Sequence, residues 1–401
     1  MFPKALQTLV ALFFGAVASA DPIELYIDAD YSISAAAAHA IELGVRTALE
    51  ETGGQLAGQD VKIVPLDHRG NAKRTLGTIK RYLESDRALA IIGGIHSPNY
   101  LTNKGFINRN GVLTLIPWAA AGPITRTEPG EPNWVFRLSV DDSHSGGFLV
   151  EAATQGGGCK RVALLLLDSG WGHANLGNLT AALRARDMSP VAVEFFALTI
   201  GAASAGTLAQ KVAQSKADCA IMLASWDNGA TLTLALAERN PELQIFSHWG
   251  IVAGGFTDRV PHRVREQMQI RVLQTCGLRR EKEANPILRD ALRRAAPDAE
   301  SLTNVPAPSG FVHGYDLTKI LVAAAEQAAA SHQWQGDIVS RRHAVHKALQ
   351  NLQTPVDGIL ERYAAPFAAF SADDPDAHEA LGLEDLCMTR FREDGRLEDA
   401  G

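Results

Sequence analysis

The sequence predicts an α/β protein with two lobes, each a doubly wound parallel sheet, joined by a hinge of several strands. Short apolar runs alternate with segments of helical spacing, which is typical of parallel sheets covered by helices on both faces. The run from Val162 to Leu167 is apolar at every position, as expected for a strand buried on both sides. The 401 residues exceed the length at which one core keeps growing, so two domains are expected.

The first series of elements begins after residue 22. Asn71 is the predicted N-cap of the second helix, and the glycine turn before His96-Ser97 separates the third strand from its helix. A loop, instead of a helix, follows the fourth strand. The predicted strands are 23–27, 61–66, 88–92, 112–116 and 134–138, and the predicted helices are 35–51, 71–83 and one that starts after Ser97.

The second series repeats the same alternation, and its predicted crossings from the first lobe are residues 139–141 and 275–277. Late helices follow, which we expect to pack on the first sheet. The predicted helices are 142–154, 173–186, 207–216, 228–239, a charged helix ending at 294, 309–330 and 338–352, and the strands are 162–167, 191–196, 219–223, 243–247, 268–274 and 386–391. The predicted division is a signal peptide (1–20), lobe 1 (21–140 plus 275–355) and lobe 2 (141–274 plus 356–401).

The first twenty residues are typical of a cleaved secretory signal. Lys4 precedes an apolar stretch that ends in the small residues Ala18-Ser19-Ala20. We predict cleavage after Ala20, without a lipid anchor, and a soluble, monomeric mature chain in the periplasm. The net charge of -7 shows no basic excess, so no nucleic-acid partner is expected.

The four cysteines carry no metal or redox signature. Cys159, Cys219, Cys276 and Cys387 lie far apart, without C-x-x-C spacing. An oxidising compartment would allow them to pair. However, Cys219 lies in a strand-like run, where a buried free thiol behaves as a small hydrophobic side chain. We therefore favour free thiols over bridges.

Tryptophans accompanied by polar residues follow four of the predicted strands. These strand ends contain Trp118, Asp168 to Trp171, Ser225 to Asp227, and His248-Trp249. The carboxyl ends of parallel strands share one edge of a sheet, and large rings beside small polar groups line small-molecule sites. A single tryptophan at a strand end can equally cover the core, but four in equivalent positions favour a binding site.

Catalytic, phosphate-binding and metal-binding alternatives have less support. Ser97 follows His96, but no G-x-S-x-G elbow surrounds it. Gly93-Gly94 matches no phosphate-binding loop, and the histidines lack a metal-site spacing. We therefore predict no enzyme, no catalytic residue, no metal and no cofactor, and rank last an exported hydrolase that uses Ser97 or Ser169.

Four motifs together resemble the type I periplasmic solute-binding proteins, in particular the branched-chain amino acid (leucine/isoleucine/valine)-binding group of ABC importers. The resemblance covers essentially the whole mature chain and implies the two-lobed fold. The motifs correspond to the family's strand-to-serine turn, its ligand loop, the opening strand of its second lobe and its late tyrosine-led helix. They are AIIGGIHSPN, VLTLIPWAAAGPIT, VALLLLDSGWG and GFVHGYDLTKILVAAAEQA.

The resemblance implies a ligand between the lobes. Ser97 and the backbone at Ala119 and Ala121 would hold the ligand's carboxylate from the first lobe, and Trp171 and Trp226 would close from the second. The candidate ligand-binding residues are Tyr31, His96, Ser97, Trp118, Ala119, Ala120, Ala121, Asp168, Trp171, Trp226, Asp227, His248 and Trp249.

Two departures from the family pattern bear on the ligand. His248 lies in the stretch where amino-acid binders present an acidic group to the ligand's ammonium, and Ala121 replaces a loop hydroxyl. Asp227 or Asp168 could supply the missing charge, which would retain an amino-acid ligand. Alternatively, the tryptophans could stack on an aromatic acid or enclose a cation. The sequence leaves these alternatives open.

We therefore predict an extracytoplasmic solute-binding protein of an ABC importer. It would capture an amino-acid-like or aromatic carboxylate ligand between two lobes by hinge closure. The resemblance implies an ABC permease in the membrane as its partner. The alternative is a periplasmic sensory subunit that signals to a membrane receptor or kinase, and nothing in the chain separates the two.

Overall fold

The computed structural model describes residues 21–128, 130–295, 301–371 and 373–400. The predicted signal peptide lies outside the described residues. The strands are β1 Ile23–Ala29, β2 Gln55–Leu56, β3 Gln59–Asp67, β4 Ala88–Gly93, β5 Thr114–Ile116, β6 Val135–Arg137, β7 Val162–Leu167, β8 Ala192–Phe196, β9 Cys219–Leu223, β10 Gln244–Ser247, β11 Arg271–Thr275, β12 Val356–Asp357, β13 Arg362–Tyr363, β14 Leu386–Phe391 and β15 Leu397–Asp399. The helices are α1 Ala35–Glu50, α2 Ala72–Glu84, α3 Ser97–Arg109, α4 Asp142–Glu151, α5 Gly170–Arg184, α6 Ala202–Gln214, α7 Trp226–Arg239, α8 Phe256–Arg259, α9 His262–Gln267, α10 Gly277–Lys282, α11 Pro286–Ala295, α12 Pro308–Ala329 and α13 Ile338–Leu349.

The first sheet has the strand order β2-β3-β1-β4-β5-β6. All pairs from β3 to β6 are parallel, and β2 joins β3 as an antiparallel hairpin. Every residue of β1 is buried, as expected for a central strand covered by helices on both faces. Asn71 caps α2 as predicted, since its side chain accepts a hydrogen bond from the Lys73 amide at 2.9 Å.

The second sheet has the order β15-β14-β11-β10-β9-β7-β8. Strands β7 to β11 pair in parallel, and β14 and β15 add two antiparallel strands at one edge. β7 has the predicted bounds and is buried at all six positions. The prediction of two parallel-sheet α/β lobes is thus confirmed.

The late helices pack against the first lobe. Tyr315 and Lys319 of α12 both donate hydrogen bonds to Glu51, at the end of α1. The buried Arg342 of α13 donates to the carbonyls of Ala88 at 2.8 Å and Tyr82 at 2.7 Å. The first turns of α12 also reach the end of β11 in the second sheet, where Thr275 Oγ1 lies 2.8 Å from His313 Nε2.

Residues 356–381 also contact the first lobe, although the sequence suggested the second. Asp316 of α12 accepts hydrogen bonds from the amides of Ile359 at 2.7 Å and Leu360 at 3.0 Å. The amide of Arg137 in β6 donates to the carbonyl of His378 at 2.9 Å. We propose that the chain crosses to the second lobe only after Leu381, shortly before β14.

Both pairs of cysteines form disulfides, so the preference for free thiols was wrong. Cys159 pairs with Cys219 and Cys276 with Cys387, with Cα–Cα distances of 6.0 and 5.1 Å. Strand pairing brings each pair together: β7 lies beside β9, and β11 beside β14. These neighbours are distant in sequence, so cysteine spacing alone could not reveal them.

Candidate ligand-binding site

The turn between β4 and α3 forms the first-lobe wall of the candidate site. Tyr100 fixes this turn, because its hydroxyl accepts from the Gly94 amide at 2.6 Å and donates to the Asp28 carbonyl at 2.8 Å. A Cβ at Gly93 would lie 2.6 Å from Ile116 Cδ1 and 2.8 Å from Tyr100 Oη, so a side chain here would displace the tyrosine that fixes the turn. The turn delivers Ser97 to the N-terminus of α3, which is favourable for an anion.

Residues 117–122, here called the ligand loop, lie beside that turn. The Ala121 amide donates to Ser97 Oγ, and the Ala119 amide donates to the Gly94 carbonyl, both at 3.2 Å. The two amides that the family resemblance assigned to the ligand are therefore paired within the first lobe. Because Ser97 accepts in its bond, its own O–H is available to donate.

Asp142, the first residue of α4, joins predicted site residues from both lobes. Its amide donates to the Ala120 carbonyl at 2.9 Å. Its carboxylate accepts from Trp171 Nε1 at 2.6 Å and from Asn175 Nδ2 at 2.8 Å, and lies 2.8 Å from His248 Nε2. We call Asp142, Trp171, Asn175 and His248 the Asp142 cluster. Asp142 was not among the predicted site residues, although the acidic pair Asp141-Asp142 at the end of a predicted crossing was a visible signal.

The carboxylate of Asp142 is already well satisfied. A carboxylate only accepts hydrogen bonds and has about four acceptor positions, so His248 must donate and three positions are taken. His248 and Asp142 are each 1% exposed. The cluster therefore fixes the orientation of the Trp171 indole and leaves little acceptor capacity for a ligand cation.

A row of rings runs from the second lobe to the first. The centroid distances are 5.3 Å for Trp171–His248, 4.5 Å for His248–Trp249, 6.2 Å for Trp249–His313 and 6.2 Å for His313–Trp118. Burial lowers the pKa of His313 to about 3, so its ring is neutral. Trp118 and Trp249 are buried in the core, whereas Trp171 is partly exposed.

Trp226 bridges the two lobes beside this row. Its Nε1 donates to the Ile33 carbonyl at 2.9 Å. A Cβ at Gly254 would lie 2.4 Å from the same nitrogen, so the missing side chain makes room for the indole. A second, longer contact joins the Ala37 amide to the Ala253 carbonyl at 3.4 Å.

His96 forms a polar group on the first lobe. Its Nε2 lies 3.0 Å from Asp30 Oδ2 and 3.2 Å from Ser34 Oγ. Burial alone would raise the pKa of the Asp30 carboxyl, but the hydrogen bond and charge of His96 and the Ile33 amide lower it to about 2. Asp30 is therefore an ionised partner that orients the His96 ring.

Three predicted site residues make their polar contacts outside the Asp142 cluster. Tyr31 and Asp168 reach side chains on the helix that follows each of them, and Asp227 accepts from a neighbouring hydroxyl. The contacts are Tyr31 with Glu42 at 2.8 Å, Asp168 with His173 at 2.9 Å and Asp227 with Ser225 at 2.6 Å.

Potential metal ligands come together once among the described residues, at Cys159, Asp218 and Cys219. Both cysteines are bridged to each other, so neither offers a thiolate. Within the same residues, no helix has the length and apolarity needed to cross a membrane.

The sequence profile of the periplasmic binding proteins matches residues 26–380. The chain belongs to this family. A search of curated proteins found no significant match for this periplasmic binding protein. The members of the family are binding proteins, which confirms the prediction that the chain is not an enzyme.

Solved structures of ABC-transporter solute-binding proteins share its fold. One from R. palustris, in complex with benzoate, has a TM-score of 0.74 at 17% identity, covering 95% of this chain and 96% of its own. Another, in complex with 4-hydroxybenzoate, has a TM-score of 0.73 at 15% identity, covering 94% and 95%. The leucine-binding protein LivK of Thermotoga maritima has a TM-score of 0.70 at 14% identity, covering 94% and 98%.

Proposed function

We propose that this periplasmic binding protein is the extracytoplasmic solute-binding component of an ABC importer and that its ligand is an aromatic carboxylate. The observation that carries the ligand class is the occupancy of the Asp142 carboxylate. Three donors already use it, so the second lobe presents no readily available acceptor there for an amino acid's ammonium group.

The first lobe supplies groups suited to a carboxylate. The Ser97 hydroxyl can donate a hydrogen bond to a carboxylate. Ser97 also lies at the N-terminus of a 13-residue helix whose dipole favours negative charge. Trp171, held by Asp142, offers a partly exposed aromatic surface for a ring. A flat anion would therefore place its carboxylate on the first lobe and its ring against the second.

Two of the structural relatives are in complex with benzoate and 4-hydroxybenzoate, which is consistent with this ligand class. LivK is a leucine-binding protein, so leucine is the main competing ligand. The branched-chain subgroup suggested by the sequence corresponds to that competitor.

Binding would act by closing the lobes. A ligand that touches both walls stabilises the closed form by the difference in its contacts between the two states. The Trp226–Ile33 hydrogen bond is one contact that closure would complete. The closed form would then deliver the ligand to a membrane permease.

Calorimetric titration and thermal unfolding of residues 21–401 test the proposal with benzoate, 4-hydroxybenzoate, leucine and tetramethylammonium. We expect the aromatic acids to bind most tightly and to stabilise the fold by about 2.7 kcal/mol at a hundredfold excess over Kd. Tighter binding of leucine or tetramethylammonium would refute the ligand class.

A further inference from the structure

Arg137, the last residue of β6, is fully buried and donates hydrogen bonds to the ligand loop. Its Nη1 donates to the carbonyl of Ala121 at 2.9 Å and reaches that of Ala119 at 3.5 Å. These carbonyls belong to the loop whose Ala121 amide bonds Ser97. The guanidinium thus sets the orientation of the peptide groups next to the proposed carboxylate site.

The other side of the same guanidinium binds two carboxylates. Nη2 donates to Asp141 Oδ2 and to Glu379 Oε1, both at 2.7 Å, and Nε donates to Glu379 Oε2 at 2.6 Å. Asp141 belongs to the first crossing between the lobes and caps α4 by accepting from the Ser143 amide at 2.7 Å. Glu379 belongs to the segment that precedes the crossing into β14.

Arg126 extends this arrangement into a charge cluster that reaches the surface at Asp376. It contacts Asp141, donates to Asp376 at 2.5 Å and donates to the Gly122 carbonyl, the last of the ligand loop, at 2.7 Å. Two arginines therefore connect three carboxylates with the second half of the loop, from Ala119 to Gly122. Charge-assisted bonds of this geometry are strong and directional, so the loop and the crossing should move as one unit.

We propose that Arg137 is a positioning residue that couples the ligand loop to the hinge, so that ligand capture at the loop and rotation about the crossing at Asp141 occur together. This inference rests on the proposed function, because it places the ligand on the first lobe beside Ser97. Arg137 acts through the Ala119 and Ala121 carbonyls, not by touching the ligand.

The test combines benzoate affinity with the distance between the lobes. Spin labels are attached at the exposed positions Arg74→Cys on α2 and Gln210→Cys on α6. Double electron–electron resonance then measures the distance between the two labels and so the separation of the lobes. We expect Arg137→Gln to raise the Kd for benzoate about tenfold or more, because it breaks several buried charged contacts at once. It should also broaden the distance distribution of the free protein.

Asp316→Asn is the control. Like Arg137, Asp316 is a buried charged residue of the first lobe, but it accepts hydrogen bonds from the Ile359 and Leu360 amides, away from the ligand loop. It should lower Tm without changing the Kd or the distance distribution. If Arg137→Gln behaves like this control, the coupling is refuted. If Arg137→Gln does not fold, Glu379→Gln, which keeps shape and removes one charge, decides by the same criteria.

The experiment distinguishes a wrong ligand class from a wrong role for Arg137. If the unaltered protein does not bind benzoate, the aromatic-acid proposal is wrong, and the distance distribution of the free protein alone decides the role of Arg137. A distribution that Arg137→Gln and Glu379→Gln leave unchanged would overturn the inference.

Discussion

The indole N–H of Trp226 donates to the carbonyl of Ile33 at 2.9 Å and thereby ties the second lobe to the first. The donor lies at the start of α7, and the acceptor lies in the turn between β1 and α1. Since the bond exists only when the lobes are close, its strength contributes directly to the closed state.

We predict that Trp226→Phe weakens ligand binding. The substitution keeps an aromatic ring but removes one hydrogen bond, worth about 0.5–1.5 kcal/mol, so the benzoate Kd should rise about two- to tenfold. Calorimetric titration measures the change. Trp334→Phe, which alters a buried tryptophan beside Arg341, should leave the affinity unaltered; equal Kd values for both variants would contradict the role of Trp226.

Ser97→Ala should reduce benzoate affinity about tenfold or more, because a hydrogen bond to a charged group contributes about 1.5–3 kcal/mol. Ser85→Ala is the control at the opposite end of β4, where the Ser85 hydroxyl accepts from the Ala88 amide at 3.0 Å. We expect Ser85→Ala to lower Tm only. A Kd for Ser97→Ala within twofold of the unaltered protein would remove Ser97 from the site.

Asp142→Asn should impair both folding stability and binding. The new side-chain amide nitrogen would face a donor, such as Trp171 Nε1 or His248 Nε2, that now meets a carboxylate oxygen. A buried donor left without an acceptor costs about 1–3 kcal/mol. Near-ultraviolet circular dichroism should report the loosened Trp171 indole, and titration the weaker binding. Glu194→Gln, at an exposed second-lobe pair with Lys211, should change neither signal. An unchanged tryptophan spectrum in Asp142→Asn would show that Asp142 does not orient the ring.

Stability should fall in acid because of buried neutral histidines. Burial lowers the pKa of His313 from 6.5 to about 3. Between these values the unfolded chain binds more protons, so this stability is fully present above pH 6.5, falls steadily as the pH is lowered, and is lost by about pH 3. The slope is up to about 1.4 kcal/mol per pH unit.

His313→Gln removes this titration and should flatten the dependence of the unfolding free energy on pH between 6.5 and 4. Denaturant unfolding at several pH values measures it. The exposed His39→Gln serves as the control and should retain the original slope. Identical slopes for His313→Gln and the unaltered protein would contradict the assignment.

The Cys276–Cys387 disulfide should stabilise the fold substantially. It links residues 111 apart in sequence, and a disulfide typically contributes about 2–4 kcal/mol by restricting the unfolded chain. The double variant Cys276→Ser/Cys387→Ser should lower the unfolding free energy by that amount. Titration of the denatured, unreduced protein should find no free thiol, and the detection of four would restore the original prediction from sequence.

Sequence patterns predicted the strands well because burial on both sides leaves a direct trace. β7 has the predicted bounds, since its apolar run starts and ends with the strand. β14 also has the predicted bounds, although Arg390 is exposed and Phe391 only partly buried. Helix ends were less accurate: α6 begins at Ala202, five residues before the predicted start. Small residues such as those of α6 carry little periodic signal.

The candidate site was harder to predict because strand-end position does not determine where a side chain points. Trp118 and Trp249 turn into the core, while Trp171 and Trp226 are partly exposed. Asp142 gains its role only through Trp171 and His248, which come from distant strand ends. Such convergence depends on tertiary packing, which local patterns do not record.

The path of the last quarter of the chain affects how the molecule can be made. Glu379 completes the charge cluster of the first lobe, and β14 and β15 complete the second sheet. Neither lobe can therefore reach its final form before residues 379–399 are in place. Deleting residues 379–399 would therefore remove the Glu379 contacts of the first lobe and the last two strands of the second sheet at once.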